Sequence, residues 1–283
     1  MPIRNLTPDD LEFALSLTTA EGWSYTRGEL ERMLRLDPEG SFLYEEDEPL
    51  AFITCVTYSG TGVVGHLVVS KEARGRKIGH SLVKRAIDYM SSRGADSVLL
   101  YATPEGVKLY EKHGFRRLRE VSCVHATLQQ KSHLMGSNPC TPVRKGDLEE
   151  IRSIDARLFG DDRRRLIQLL YEEFPEHSFK LEKNGEIVGY SFGRTTPTGF
   201  DLGPWACISG SRRDAEALFW KVISSFSEGT IFFGVFPENR AAVEITDALS
   251  KVRTWRTELM VRGAERYGSG IQQFFGLAAF ELG

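Results

Sequence analysis

The chain has 283 residues, a formal net charge of −3, 41% hydrophobic and 27% charged residues. That length suits two domains of about 140 residues each, the composition excludes a disordered chain, and the slightly acidic balance argues against a specific nucleic-acid partner. No apolar run approaches the roughly 20 residues needed to span a bilayer, and the opening Met1-Pro2-Ile3-Arg4-Asn5 has no secretory stretch, so a soluble cytoplasmic protein without a membrane partner is expected.

Pro2 to Asn5 reads as a short strand, and Thr7-Pro8-Asp9-Asp10 caps a first helix whose apolar residues Leu11, Phe13, Ala14 and Leu17 keep helical spacing. A second helix is predicted from Thr26, its N-cap, with Glu29 three residues on, to Leu36. Strands follow at 41–45, 51–58 and 62–69, and a long helix from Gly79 to about Arg93 places Leu82, Val83, Ala86, Ile87 and Met90 on one face. The cysteines at 55, 123, 140 and 207 lack the spacing of a zinc knuckle or redox pair. They are read as free thiols, mostly in strands, and no metal is expected.

The most informative segment runs from Leu67 through Arg74-Gly75-Arg76-Lys77-Ile78-Gly79-His80 into that long helix. An apolar strand empties through a short basic loop into a helix, whose free N–H groups and dipole favour an anion at its start. Arg74, Arg76 and Lys77 add positive charge there. About thirty residues on, the strand Ser97-Val98-Leu99-Leu100-Tyr101 leads to Pro104, suited to a helix start. Leu109 and Tyr110 then lie in the helix body, and Gly114 suits a left-handed cap before Phe115.

Both motifs, in this order, resemble the GNAT acetyltransferase superfamily. Its pyrophosphate loop reads Arg or Gln, two residues, Gly, one residue, then Gly or Ala; Arg74 fills the first position and Gly79 the last. Lys77 stands where the family has its central glycine, and helical dihedrals are expected there. The ending Leu109-Tyr110-Glu111-Lys112-His113-Gly114-Phe115 resembles the family's fourth helix, whose tyrosine faces the sulfur of coenzyme A.

The polar stretch Gln129 to Pro142 is the best linker candidate. Beyond it, Pro142-Val143-Arg144 with Asp147-Leu148-Glu149 echoes Pro2-Ile3-Arg4 with Asp10-Leu11-Glu12. The echo continues through strands at 178–183, 186–195, 199–209 and 230–236, and helices near 214–225 and after Pro237. Asp214 and Glu216 replace the basic loop, and Val243 falls at the position equivalent to Tyr110. The division expected is a catalytic domain at 1–130, a linker at 131–141 and a degenerate copy at 142–283. The fold class is α+β: two tandem GNAT folds, each a mixed, mostly antiparallel sheet flanked by helices. Glu21-Gly22-Trp23, Leu36 to Gly40, Asp155 and Phe159 to Arg163 resemble markers of the superfamily's tandem branch.

The resemblance implies an acetyl-CoA-dependent N-acetyltransferase that passes an acetyl group directly to a primary amine within a ternary complex. Acetyl-CoA lies along Leu67, Val68 and Val69, with an amide near Val68 polarising the thioester, and its diphosphate meets Arg74, Gly75, Arg76, Lys77, Ile78, Gly79 and His80. Tyr110 is the expected proton donor to the leaving thiolate. His66 and Glu21 are alternative proton acceptors, with Trp23 and Tyr25 as substrate contacts or core residues. Asp201 and Trp205 contribute to the acceptor side or serve the second copy's interior. Arg116, Arg117 and Arg119 form a solvated strand edge or meet a phosphate. A non-catalytic acyl-CoA sensor or interaction protein is the rival reading, suggested by Lys77 and the degenerate copy. The acceptor, small molecule or protein, and the oligomeric state are not encoded legibly.

Overall fold

A computed structural model describes residues 2–128, 139–197, 199–226, 229–266 and 270–283; most of the expected linker lies outside these. The first half runs β1 (Ile3–Asn5), α1 (Leu11–Ala20), α2 (Arg27–Leu36), β2 (Phe42–Glu45), β3 (Pro49–Thr57), β4 (Thr61–Val69), α3 (Ile78–Ser92), β5 (Ser97–Ala102), α4 (Val107–Glu111) and β6 (Arg116–Leu128). The second continues with β7 (Thr141–Pro142), α5 (Leu148–Phe159), α6 (Arg164–Glu173), β8 (Ser178–Lys183), β9 (Glu186–Thr196), β10 (Gly199–Cys207), α7 (Arg212–Ile223), β11 (Gly229–Val235), α8 (Arg240–Asp247), β12 (Ser250–Gly263) and β13 (Phe274–Gly276). No helix among the described residues is long and apolar enough to cross a membrane. The four cysteines are buried, three of them in strands.

Local chemistry sets the boundaries. The Asp10 carboxylate accepts from the Thr7 amide and hydroxyl, both at 2.8 Å, fixing a short 3-10 turn ahead of α1. Thr26 and Glu29 form a reciprocal capping box at the start of α2. Gly114, with φ 82°, supplies the left-handed turn after α4.

Two compact units result. One holds residues up to Leu118 with Glu258–Glu265 and Leu282, the other Arg119–Thr257 with Arg266–Glu281 and Gly283. The linear division at 130 and 142 differs from this packing because each half of the sequence lends a strand. Glu258 to Gly263 pairs antiparallel with β5, in register Glu258↔Ala102 to Gly263↔Ser97. Ser122 to Leu128 pairs antiparallel with β11. The first unit's sheet therefore reads β1-β2-β3-β4-β5-β12, and the second's β7-β8-β9-β10-β11-β6. Each is antiparallel except for one central parallel pair, β4 with β5 and β10 with β11. In the first unit, α3 buries Leu82, Val83 and Met90 against Phe42, Ala51 and Ile53. The opposite face packs Leu43, Phe52 and Val68 under Leu11, Ala14 and Leu30. This alternation along β2 and β3 is the two-residue period of a strand covered on both sides.

One irregularity positions the site. Cys55 pairs with Val64 and Ile53 with Leu67, so β4 carries one more residue than β3 over that interval, a β-bulge. Pairing with β5 ends at the same point, Val64↔Leu100. Beyond it β5 keeps only its other neighbour, β12, which it pairs with from Ser97 to Ala102, and β4 continues to Val69 without a β5 partner.

Met260 is fully buried in the first unit's core although it lies in the second half of the sequence. Met260→Ala is expected to cost about 2–5 kcal/mol and to speed amide exchange at Leu99 and Leu100. Unchanged protection in β5 would contradict the strand exchange.

Candidate active site

The bulge decides which backbone groups face the open edge of β4. Successive N–H groups of a strand point to opposite sides. Ser70 N donates to Leu50 O at 2.9 Å and His66 N to Thr54 Oγ1 at 3.1 Å, both toward β3. The N–H groups of Leu67 and Val69 therefore face away from β3, into the gap beside β5, and that of Val68 faces β3. The amide expected near Val68 thus belongs to Leu67 or Val69, both of which are partly exposed while Val68 is buried.

The loop after β4 ends in a row of amides. Among the described residues, none of the N–H groups from Arg76 to His80 has a hydrogen-bond acceptor; the first helical bond of α3 is Ser81 N to Lys77 O at 3.2 Å. Gly75 (φ 80°) and Lys77 (φ 63°) are left-handed, which turns these groups into a concave, anion-accepting face. The helical dihedrals expected for Lys77 are not found. It is the N-cap of α3 in the left-handed region, where a side chain costs about 1–2 kcal/mol and where the family's glycine would cost none.

The loop's cations are partly engaged. Arg74 pairs with Glu21, and its Nε donates to Val69 O at 3.2 Å. Arg76 binds the Glu46 carboxylate at 2.6 and 2.8 Å. These arginines are about half exposed, so each pair is screened by solvent and yields readily to a stronger anion. Glu21, one of the two expected proton acceptors, is thereby tied to the loop and not to His66. His80 Nδ1 lies 3.0 Å from His113 Nε2. One of these atoms donates and the other accepts, so the two rings cannot both be protonated at the shared contact. Burial and the neighbouring His80 hold the pKa of His113 below its ordinary value.

Gly79 locks the parts together. A Cβ built on it would sit 3.7–3.9 Å from Leu109, Val69 and Leu67, so the start of α3, the open edge of β4 and helix α4 meet there. Tyr110, next to Leu109, packs on the same face of the sheet against Phe115, ring centroids 5.8 Å apart. It is 8% exposed, burial raises its pKa, and among the described residues its hydroxyl has no hydrogen-bond partner.

His66 occupies the opposite face. Its ring stacks on Phe52 (6.2 Å) and meets Tyr25 edge-on (4.1 Å), and Trp23 meets Tyr25 at 6.1 Å. Nδ1 lies 2.9 Å from Thr54 Oγ1, while Nε2 is buried without a partner among the described residues. If Nδ1–H donates to Thr54, Nε2 presents a lone pair; if the Thr54 hydroxyl donates, Nε2 carries the proton. Desolvation, only partly opposed by Glu29, pushes the ring's pKa down to about 4. The imidazole is therefore neutral at pH 7.

Thr54 is a functional candidate that the sequence reading passed over. A simple hairpin register through the turn at 59–61 places other residues beside His66, and only the bulge delivers Thr54 there. The arginine cluster after Phe115 is not a free basic surface, since Arg116 pairs with Glu265, Arg117 with Glu111 and Arg119 with Glu238. In the second unit, Asp155 and Arg163 form a buried ion pair at 2.7 Å, joined by Tyr190 at 2.6 Å. These marker residues hold that unit's interior. Trp205 is fully buried there, donating from Nε1 to Ala215 O at 3.1 Å, and so does not line an exposed pocket. Among the described residues, no group of three or more His, Cys, Asp or Glu could hold a metal.

Comparison with known proteins gives two family matches. Residues 9–115 match the acetyltransferase (GNAT) family and residues 151–276 an acetyltransferase (GNAT) domain. The holothin acyltransferase of Pseudoalteromonas sp. (strain SANK 73390) is 26% identical over 75% of this chain and 70% of its own. The uncharacterized N-acetyltransferase YitH of Bacillus subtilis (strain 168) is 27% identical over 67% of each. A crystal structure of a Pyrococcus horikoshii protein assigned to the acetyltransferases superposes over 99% of this chain and 95% of its own, with a TM-score of 0.81 at 22% identity. A GCN5-related N-acetyltransferase from Sphaerobacter thermophilus superposes over 96% and 98%, with a TM-score of 0.67 at 18% identity. At these identities the two structures speak for the fold alone.

The buried His66 sets a pH dependence of stability. In the unfolded chain histidine takes up a proton near pH 6.5, whereas the folded ring resists until about 4. Between these values the unfolded state binds more protons, so stability falls as pH drops, by on the order of 3 kcal/mol across the window. Denaturation midpoints from pH 7 to pH 4 are expected to fall less steeply in His66→Gln than in the parent. Parallel curves would contradict the desolvated ring.

Proposed function

Because the chain belongs to the GNAT acetyltransferases, as two tandem copies of that fold, we propose that its first unit transfers an acetyl group from acetyl-CoA directly to a primary amine in a ternary complex. The observation that carries this is the open edge of β4, with the N–H groups of Leu67 and Val69 unclaimed, running into the unclaimed amide row Arg76 to His80. An acylated pantetheine fits the edge as an added strand, and a diphosphate fits the amide row. The acceptor is a small-molecule or protein amine, and the reading has the enzyme working as a soluble cytoplasmic protein.

Acetyl-CoA, when bound, supplies a thioester whose carbonyl carbon is open to attack and whose sulfur leaves as a thiolate. The Leu67 and Val69 amides, fixed in place by the strand, are the donors available to a carbonyl oxygen gaining charge, a contribution of a few kcal/mol. Burial raises the pKa of Tyr110, so it keeps its phenolic proton at neutral pH and is the group assigned to protonate the departing thiolate. His66, neutral and with Nε2 unpartnered, is assigned the proton of the incoming amine, in the tautomer whose Nδ1–H donates to Thr54. The sheet separates the two groups: His66 works from the face of Phe52 and Tyr25, Tyr110 from the face of α3. An amine entering on one face and a thiolate leaving on the other need no shared path. Trp23 and Tyr25 border His66 on the side where the acceptor enters.

With a panel of amines, coenzyme A release is the direct assay. Tyr110→Phe is expected to lower kcat by about 10²–10⁴-fold while leaving acetyl-CoA affinity within a few-fold. Tight acetyl-CoA binding with no turnover of any amine by the parent chain would instead favour the sensor reading.

A further inference from the structure

The second unit has the same slot, and it is full. The strands can be aligned by their bulges. On β10, Leu202 pairs with Gly193 and Trp205 with Ser191, the same three-against-two step that Val64 and Leu67 make against Cys55 and Ile53 on β4. The next outward bonds agree, since Ile208 N donates to Val188 O at 2.8 Å where Ser70 N donates to Leu50 O at 2.9 Å. Leu67, Val68 and Val69 thus correspond to Trp205, Ala206 and Cys207. As with β4 and β5, the parallel pairing of β10 with β11 stops short, at Asp201↔Phe232.

In the second unit the gap beyond that point holds strand β13. Trp205 pairs with Gly276 and Ala206 with Phe274. Cys207 N donates to Gln273 O at 2.8 Å, and on the far side Leu277 N donates to Gly234 O of β11 at 3.0 Å. The fit leaves no spare room. A Cβ on Gly203 would sit 1.7 Å from Leu277 O, and one on Gly234 2.9 Å from Leu277 Cδ1. Asn239, wholly buried at the start of α8, donates from Nδ2 to Ile271 O and Phe274 O while its Oδ1 accepts from Ala242 N. The start of α7 is also closed to an anion, since Asp214 sits in its first turn, bonded to Lys183 at 2.6 Å and to Ser209 at 3.1 Å.

We propose that β13 is a built-in occupant of the second unit's coenzyme slot, taking the backbone bonds that an acylated pantetheine takes along β4, so that the chain binds one acyl-CoA and not two. This rests on the reading of the first unit given above. It gives the degenerate copy a definite chemical state, an acetyltransferase fold carrying its own peptide as ligand.

Amide exchange on the full chain, with and without saturating acetyl-CoA, tests this together with the calorimetric stoichiometry. Cys207 and Leu277 are expected to exchange as slowly as the sheet core without coenzyme and to remain unchanged with it, at one equivalent bound per chain. Two equivalents, or coenzyme-dependent exchange at Cys207 or Leu277, would overturn the proposal, as would fast exchange of these amides in the free protein. Asn239→Asp keeps the helix cap but removes both donors to the tail. It is expected to speed exchange at Leu277 by about tenfold or more, with exchange at residues 67–82 unaltered; an unchanged Leu277 rate would count against the clamp. A titration showing no coenzyme uptake at all would sink the reading of the first unit, and protection at Cys207 and Leu277 would then decide alone whether β13 closes the slot.

Discussion

Two parallel strands that separate partway along their length leave backbone N–H and C=O groups without partners, and a folded protein does not tolerate such groups buried and unmet. In the first unit this happens after Val64↔Leu100, where a one-residue bulge in β4 coincides with the end of its pairing with β5. Every functional feature hangs on that separation. It aims the Leu67 and Val69 amides into the gap, brings Thr54 to His66, and delivers the chain into the Arg74 loop at the foot of α3.

The second copy meets the same constraint and resolves it internally. Its bulge falls at the equivalent place, and there the gap is closed by β13, with Trp205 and Cys207 fully buried where Leu67 and Val69 are partly exposed. The loss of the basic loop and of a tyrosine at Val243 belongs with this closure. Once a peptide fills the slot, a diphosphate site at α7 has nothing to anchor, and Asp214 can serve as the partner of Lys183.

Much of this was legible in the sequence because its signals are local. The Thr26–Glu29 box, the left-handed Gly114, the apolar stripe of α3 and the Arg74-to-Gly79 loop each depend on a few neighbouring residues, and each sits where its pattern places it. What escaped depends on distant pairing or on single-residue parity. Nothing in Thr257-Glu258-Leu259-Met260-Val261 says that it pairs with β5, since strand partners some 160 positions apart share no local signature. The choice between Val68 and its neighbours as the free amide turns on the bulge, because a slip of one residue reverses every backbone group. Lys77 misleads for a related reason. A lysine reads as an ordinary helical residue, and only the turn between β4 and α3 demands the left-handed dihedrals it adopts. Glu21 was drawn to the acceptor side by its place beside Trp23, yet its carboxylate reaches Arg74, a pairing that no sequence spacing encodes.

The two copies thus differ at the gap: a segment of the chain closes it in one, and in the other it stays open for the proposed coenzyme. The most direct measurement is the amide spectrum of isotopically labelled protein titrated with acetyl-CoA. The account predicts saturable shifts at Leu67, Val69 and the amides from Arg76 to His80, with Val68 moving far less. Shifts centred on Val68, or no response in β4 while coenzyme binds elsewhere on the chain, would contradict it.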